Sequence, residues 1–161
     1  MLISEQERFW SHVIKGPADN DCWLWVGAVS DDGYGRFWVQ RGGKQRAVRP
    51  QRYSYELLTG LALPRDVLLL HDCDIPLCVH ADIDLARSHV WEGDHRKNML
   101  DREQKGRTVN GATAWRWRGL PRALRAERSR ALRQTVLEHG WDPALMSAAL
   151  SGTDPEHPRL F

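Results

Sequence analysis

The stretch Leu68 to Cys78, "LLLHDCDIPLC", carries two of the chain's three cysteines and a histidine at the end of an apolar run. Cys73 and Cys78, joined by Cys22 upstream and a histidine downstream, can supply the three thiolates and one imidazole of a closed tetrahedral zinc site. Cysteine also packs as a small hydrophobe, so the spacing of two cysteines alone is weak evidence; a place for all three in one site strengthens it. His71 is the one side-chain type here whose neutral form accepts a proton near pH 7. A lone histidine after a leucine run is ordinarily a satisfied structural residue. Asp72, Asp74, Asp82 and Asp84 can hold a cation between them, although loop capping is their default role.

Elements must position these groups. Ser4 and Glu7 have the spacing of a capping box and open a helix expected near 4–15. "CWLWVGAV", "YGRFWVQ" and "QRAVR" read as three strands of an antiparallel meander, separated by the turns "SDDG" and "RGGK". Alternation in the second strand puts Arg36, Trp38 and Gln40 on one face, opposite Phe37 and Val39, so one side can be core and the other can read a DNA groove together with Arg46. "PQRYSYELLTG" is a short helix with proline at its start and glycine at its stop. "DVLLL" is a buried strand delivering His71, "HVWEG" a second strand, and "DHRKNMLDREQKG" a helix. After a glycine-punctuated linker containing "WRWRG" comes a basic helix, then a short last helix opened by Asp142 and Pro143. Trp10, Trp23 and Trp25 are expected in the core. Arg116 and Arg118, interleaved with Trp115 and Trp117, suit phosphate clamping or base stacking, or a linker folded back on the core.

The chain has 161 residues and a formal charge of +2, which suits one main core. Charge is segregated: residues 41–65 carry six Arg or Lys against Glu56, residues 66–101 eight acids against three bases, and residues 102–133 ten bases against two acids. Basic arms around an acidic centre suit a phosphodiester backbone and a divalent cation. An odd cysteine number argues against a disulfide framework. No apolar run is long enough to span a bilayer and the N-terminus lacks the plan of a secretory signal, so a cytoplasmic protein with no membrane partner is expected.

The segments "CWLW-GA---DGYGRF" (Cys22 to Phe37), "R-SYELL-G" (Arg52 to Gly60), "H-C--PLC" (His71 to Cys78) and "H---G----NM-D----GR" (His89 to Arg107) together resemble the HNH endonucleases of phages and bacteria. Within that ββα-metal superfamily, the resemblance is to the branch related to His-Cys box homing enzymes. It implies an α+β fold: an antiparallel β-meander plus a zinc-stapled ββα-metal motif over residues 1–107, with a basic helical extension over 108–161 for DNA contact or dimerisation. His71 resembles the general base, Asn98 the protein ligand of a catalytic Mg²⁺ (or Mn²⁺), and Arg52 a phosphate contact near the cut. Cys22, Cys73, Cys78 and His89 resemble structural zinc ligands, with His80 as the rival histidine because "HADIDLARS" looks like an insertion. Ala86 stands near the place of a supporting asparagine, and Leu70 stands where many HNH enzymes carry a second metal ligand.

The resemblance implies a metal-dependent DNA endonuclease leaving 5′-phosphate and 3′-hydroxyl ends. One active site cuts one strand, so a sequence-specific restriction- or homing-like enzyme would act on double-stranded DNA as a homodimer. The apolar side of the basic helix, with Leu124, Leu132 and Val136, is a candidate dimer face. A phage-type nicking nuclease, a zinc-stapled DNA-binding protein without catalysis, and an RNA nuclease are the alternatives.

Overall fold

The computed structural model describes residues 3–104 and 121–152. Along the chain these are α1 (Glu5–Trp10), β1 (Val13–Lys15), β2 (Trp23–Trp25), β3 (Phe37–Arg41), β4 (Lys44–Val48), α2 (Pro50–Thr59), β5 (Leu68–His71), β6 (Val90–Gly93), α3 (His95–Gln104), α4 (Arg122–His139) and α5 (Pro143–Ser151). The architecture is mixed α and β, with strands in three antiparallel pairs, β1–β2, β3–β4 and β5–β6. The linker with Trp115, Arg116, Trp117 and Arg118 lies outside the described residues.

The first helix is shorter than its expected span. The Ser4–Glu7 capping box is formed, but after Trp10 the chain turns and Val13–Lys15 pairs with β2, in register Val13 to Trp25 and Lys15 to Trp23. β-branched Val13 and Ile14 gain little from a helix and fit a pleated strand. A six-residue helix is not stable alone. It is held by Phe9, fully buried, whose ring meets those of Trp10, Tyr53, Phe37 and Trp25 at centroid distances of 4.9, 4.7, 5.3 and 5.4 Å.

The expected continuous meander is split for the same reason. β2 pairs with β1, while β3 and β4 form their own hairpin across Gly42 and Gly43, both at positive φ. A single bridge, Val29 to Gly35, is what remains between them. Alternation in β3 follows the pattern expected, with Phe37 and Val39 buried and Trp38 and Gln40 exposed. Arg46, however, pairs with Val39, so it leaves the hairpin on the face opposite Trp38 and Gln40. Arg36 stays near Trp38, its guanidinium 5.8 Å from the ring centre.

β5, β6 and α3 form a strand–strand–helix unit in register Leu68 to Gly93 and His71 to Val90. Asp94 opens α3 by accepting from the Lys97 amide at 2.7 Å. The C-terminal helices complete the core instead of extending from it. Leu132 and Val136 of α4 and Met146 of α5 join the cluster of Phe9, Leu24, Trp25 and Phe37. The α4 face expected to meet a dimer mate is therefore largely consumed within the chain. Gly33, at φ +89°, fixes this docking: a Cβ there would lie 3.0 Å from the Arg125 carbonyl oxygen and 3.0 Å from Ser129 Oγ of α4.

Candidate metal centre and adjoining cleft

Backbone pairing brings the cysteines together. The Trp25 amide donates to Leu77 O and the Val79 amide to Trp23 O, so the loop holding Cys78 runs as a further edge along β2, which begins beside Cys22. On the other flank, the Asp72 amide donates to His89 O and the His89 amide to His80 O. The β5–β6 register thereby sets His89 beside Cys73.

One ligand atom from each of Cys22, Cys73, Cys78 and His89 lies within 4.8 Å of all the others. His89 Nδ1 is 3.4 Å from Cys22 Sγ and 3.5 Å from Cys78 Sγ. Zinc bonds of about 2.3 Å to sulfur and 2.0 Å to nitrogen at tetrahedral angles put those atoms about 3.5 Å apart, so the group is dimensioned for a metal such as zinc. His89 Nε2–H donates to Asn20 O at 3.0 Å, which fixes the tautomer and leaves the Nδ1 lone pair for the ligand position. Hydrogen bonds from Cys22 and Cys78 draw the Cys73 thiol far down, the contact with Cys73 pushes Cys22 up, and burial pushes Cys78 up. A divalent cation is what allows all three to ionise together.

His80 has another task. It is 1% exposed, its Nδ1–H donates to Asp21 O at 2.7 Å, and its ring stacks on Trp23 at 4.2 Å and 6°. Burial lowers its pKa. It packs behind His89, whose ring centre is 4.5 Å away, and belongs to the wall of the site.

The metal group is coupled to a cleft of about 100 Å³ lined by Tyr34, Leu69, Leu70, His71, Asp74, Pro76 and Asn98. His71 ends β5, and its Nε2–H donates to the carbonyl of Cys78 at 2.9 Å. The imidazole is thus oriented by the backbone of Cys78, one of the candidate metal ligands, with Nδ1 on the other side of the ring. Asn98, at the end of the first turn of α3, brings a carboxamide to the same cleft. Sequence does not single out Tyr34, and it marks Asp74 only as one of four aspartates able to hold a cation, with loop capping as the default role. Asp74 sits between the two cysteines at φ +60°, a conformation that asparagine and aspartate tolerate better than most residues. Its place in "HDCDIPLC" was the available signal. Tyr34 reaches the cleft from a loop nearly forty positions upstream, and nothing local marks it.

Arg52 is not among the residues lining the cleft. Its guanidinium donates to the carbonyls of Leu63, Pro64 and Val67 and pairs with Glu56 at 3.4 Å, bracing the approach to β5.

No protein-family model and no solved structure matches the chain. Protein 7.7 of Escherichia phage T7 is 33% identical over 119 residues, covering 74% of this chain and 78% of that protein. Protein 2.8 of the same phage is 31% identical over 90 residues, 56% of this chain and 55% of that protein.

Proposed function

The chain belongs to the family of Protein 7.7 of Escherichia phage T7, and from the cleft's geometry, together with the motif resemblance, we propose that it is a metal-dependent DNA endonuclease of the HNH, ββα-metal type. The observation that carries this reading is the meeting of His71 and Asn98 in one cleft, with His71 oriented by the Cys78 carbonyl. In this reading His71 Nδ1 takes a proton from a water lying in line with the scissile bond. The water oxygen forms the new bond to phosphorus, the P–O3′ bond breaks, and the ends are 5′-phosphate and 3′-hydroxyl. Asn98 and Asp74 offer oxygen donors of the kind Mg²⁺ or Mn²⁺ prefers. An ion held there would supply the charge stabilisation that the leaving oxygen requires. Cys22, Cys73, Cys78 and His89 would hold a zinc ion whose bonds would fix the loop that orients the base. Arg52 supports the cleft from behind in this reading, through the carbonyls it braces. Double-strand cutting would call for a homodimer, and a single chain would nick.

The test is supercoiled plasmid incubated with Mg²⁺ and wild-type protein, His71→Ala or Asn98→Ala. Loss of one general base costs about 10²- to 10⁴-fold in rate, so nicking by the wild type alone is the expected result. DNA binding without cutting by any of the three would overturn the catalytic reading in favour of a zinc-stapled DNA-binding protein, and cutting of RNA alone would overturn the substrate.

A further inference from the structure

Tyr34 belongs to more than the His71 cleft. The Arg49 guanidinium stacks over its ring, 4.8 Å from the centre. Arg49 in turn lines a second, larger cleft of about 190 Å³ with Asp31, Asp32, Arg36 and Arg122. Its three arginines come from three parts of the chain: the entry to β3, the junction of β4 with α2, and the first residue of α4. Close packing of α4 on Gly33 brings Arg122 to the same loop that supplies Asp31, Asp32 and Tyr34.

The two acid–base pairs in this cleft are unlike. Arg49 grips Asp32 through both terminal nitrogens, with side-chain exposures of 42% and 19%, and is braced by the tyrosine ring. Arg122 meets Asp31 at 2.8 Å in open water, with exposures of 61% and 74%. A pair so exposed is screened and readily exchanged. A guanidinium fork accepts a phosphate as well as a carboxylate, and a phosphodiester brings its charge without the loop's own constraints.

From these contacts we infer that the Arg36–Arg49–Arg122 cleft is a second phosphodiester site, in which a DNA backbone phosphate beside the one at His71 displaces Asp31 from Arg122. The inference rests on the nucleic-acid reading above and deepens it. It makes the first turn of α4 part of the substrate surface, and it makes Asp31 a competitor that a bound strand must push aside.

Binding of a fluorescent 20-base-pair duplex, measured by anisotropy in EDTA between 50 and 200 mM salt, separates the possibilities. Arg122→Gln should weaken binding and lower the salt slope by about 0.9, so that the affinity ratio across that salt range shrinks by about 3.5-fold. Asp31→Asn should strengthen binding. Arg130→Gln, the same charge change on an exposed α4 position outside the cleft, should do much less than Arg122→Gln. Equal effects of Arg122→Gln and Arg130→Gln, or a loss of affinity in Asp31→Asn, would overturn the inference. So would unchanged duplex binding in Arg122→Gln together with lost thermal stabilisation by inorganic phosphate, which would mark a free-phosphate pocket. If the wild type nicks plasmid and Arg122→Gln binds normally, the second site alone falls. Opposite shifts in the two variants without any nicking leave the site standing and remove the catalytic reading.

Discussion

Two histidines nine residues apart illustrate how much a single side chain's surroundings decide. His80 and His89 are both near the cysteines, yet one is stacked beneath Trp23 with its Nδ1–H given to a carbonyl, and the other turns its Nδ1 to the thiols. Their substitution should therefore separate metal content from stability. His89→Ala removes a ligand and is expected to lose bound zinc, as read by metal analysis after gel filtration. His80→Ala should keep zinc and lose about 2 kcal/mol of stability in denaturant titration, from the cavity left under the indole and the lost hydrogen bond. Zinc retained in the first and lost in the second would reverse the assignment. Spacing left His80 as a rival, because each histidine is a short loop away from Cys78, while the family resemblance pointed to His89. The choice follows from the β5–β6 register, which places position 89 opposite Asp72.

At the scale of elements, α1, the shortest described helix, is anchored by Phe9 and also tied down by one carboxylate. Glu5 accepts from Arg41 at 3.0 and 3.1 Å, from Tyr53 Oη at 3.0 Å and from the Gln40 amide at 3.2 Å, tying α1 to β3 and α2. Burial alone would raise its pKa, but these hydrogen bonds outweigh it and the net shift is downward. Tyr53 is pushed up to about 12 by burial and by the same carboxylate. A depressed carboxyl pKa stabilises the fold above the unfolded value and loses that contribution as pH falls through the folded one. Stability should therefore decline below about pH 4.5, the more so because Asp32 is lowered in the same direction by Arg49 against its own burial. Glu5→Gln should flatten part of that decline in denaturation curves at pH 6 and pH 3.5; an unchanged pH dependence would show that the cluster contributes nothing. The capping box at Ser4 was readable from spacing because it involves four consecutive positions. The end of α1 was not, since the pairing of Val13–Lys15 with β2 is decided by a strand that begins eight residues later.

For the molecule as a whole, the hydrophobic cluster runs from Phe9 through Trp25 and Phe37 to Leu132, Val136 and Met146. The basic helix is thus both a wall of the core and, through Arg122, a wall of the polar cleft. Leu132, 1% exposed, is the position where this can be measured: Leu132→Ala should cost about 2–5 kcal/mol in denaturant titration. A cost below about 0.5 kcal/mol, the range of surface substitutions, would mean that the helix is not part of the core. Among the described residues no helix is long and apolar enough to cross a membrane.

The sequence by itself determined the elements whose signals are local: the capped start of α1, the proline-opened and glycine-closed α2, the alternation of β3, the strand that ends on His71, and the Asp142 cap of α5. It also determined the three candidate sulfur ligands, since the chain has three cysteines, while His89 came from the family resemblance with His80 as its rival. Only the tertiary structure decided which histidine faces the sulfurs, that Tyr34 and Asp74 share the cleft with His71 and Asn98, that Arg52 turns to backbone carbonyls, and that α4 closes the core. Each of those depends on strand register and on contacts between residues distant in sequence, and periodicity records which face a residue occupies without recording what will be packed against it.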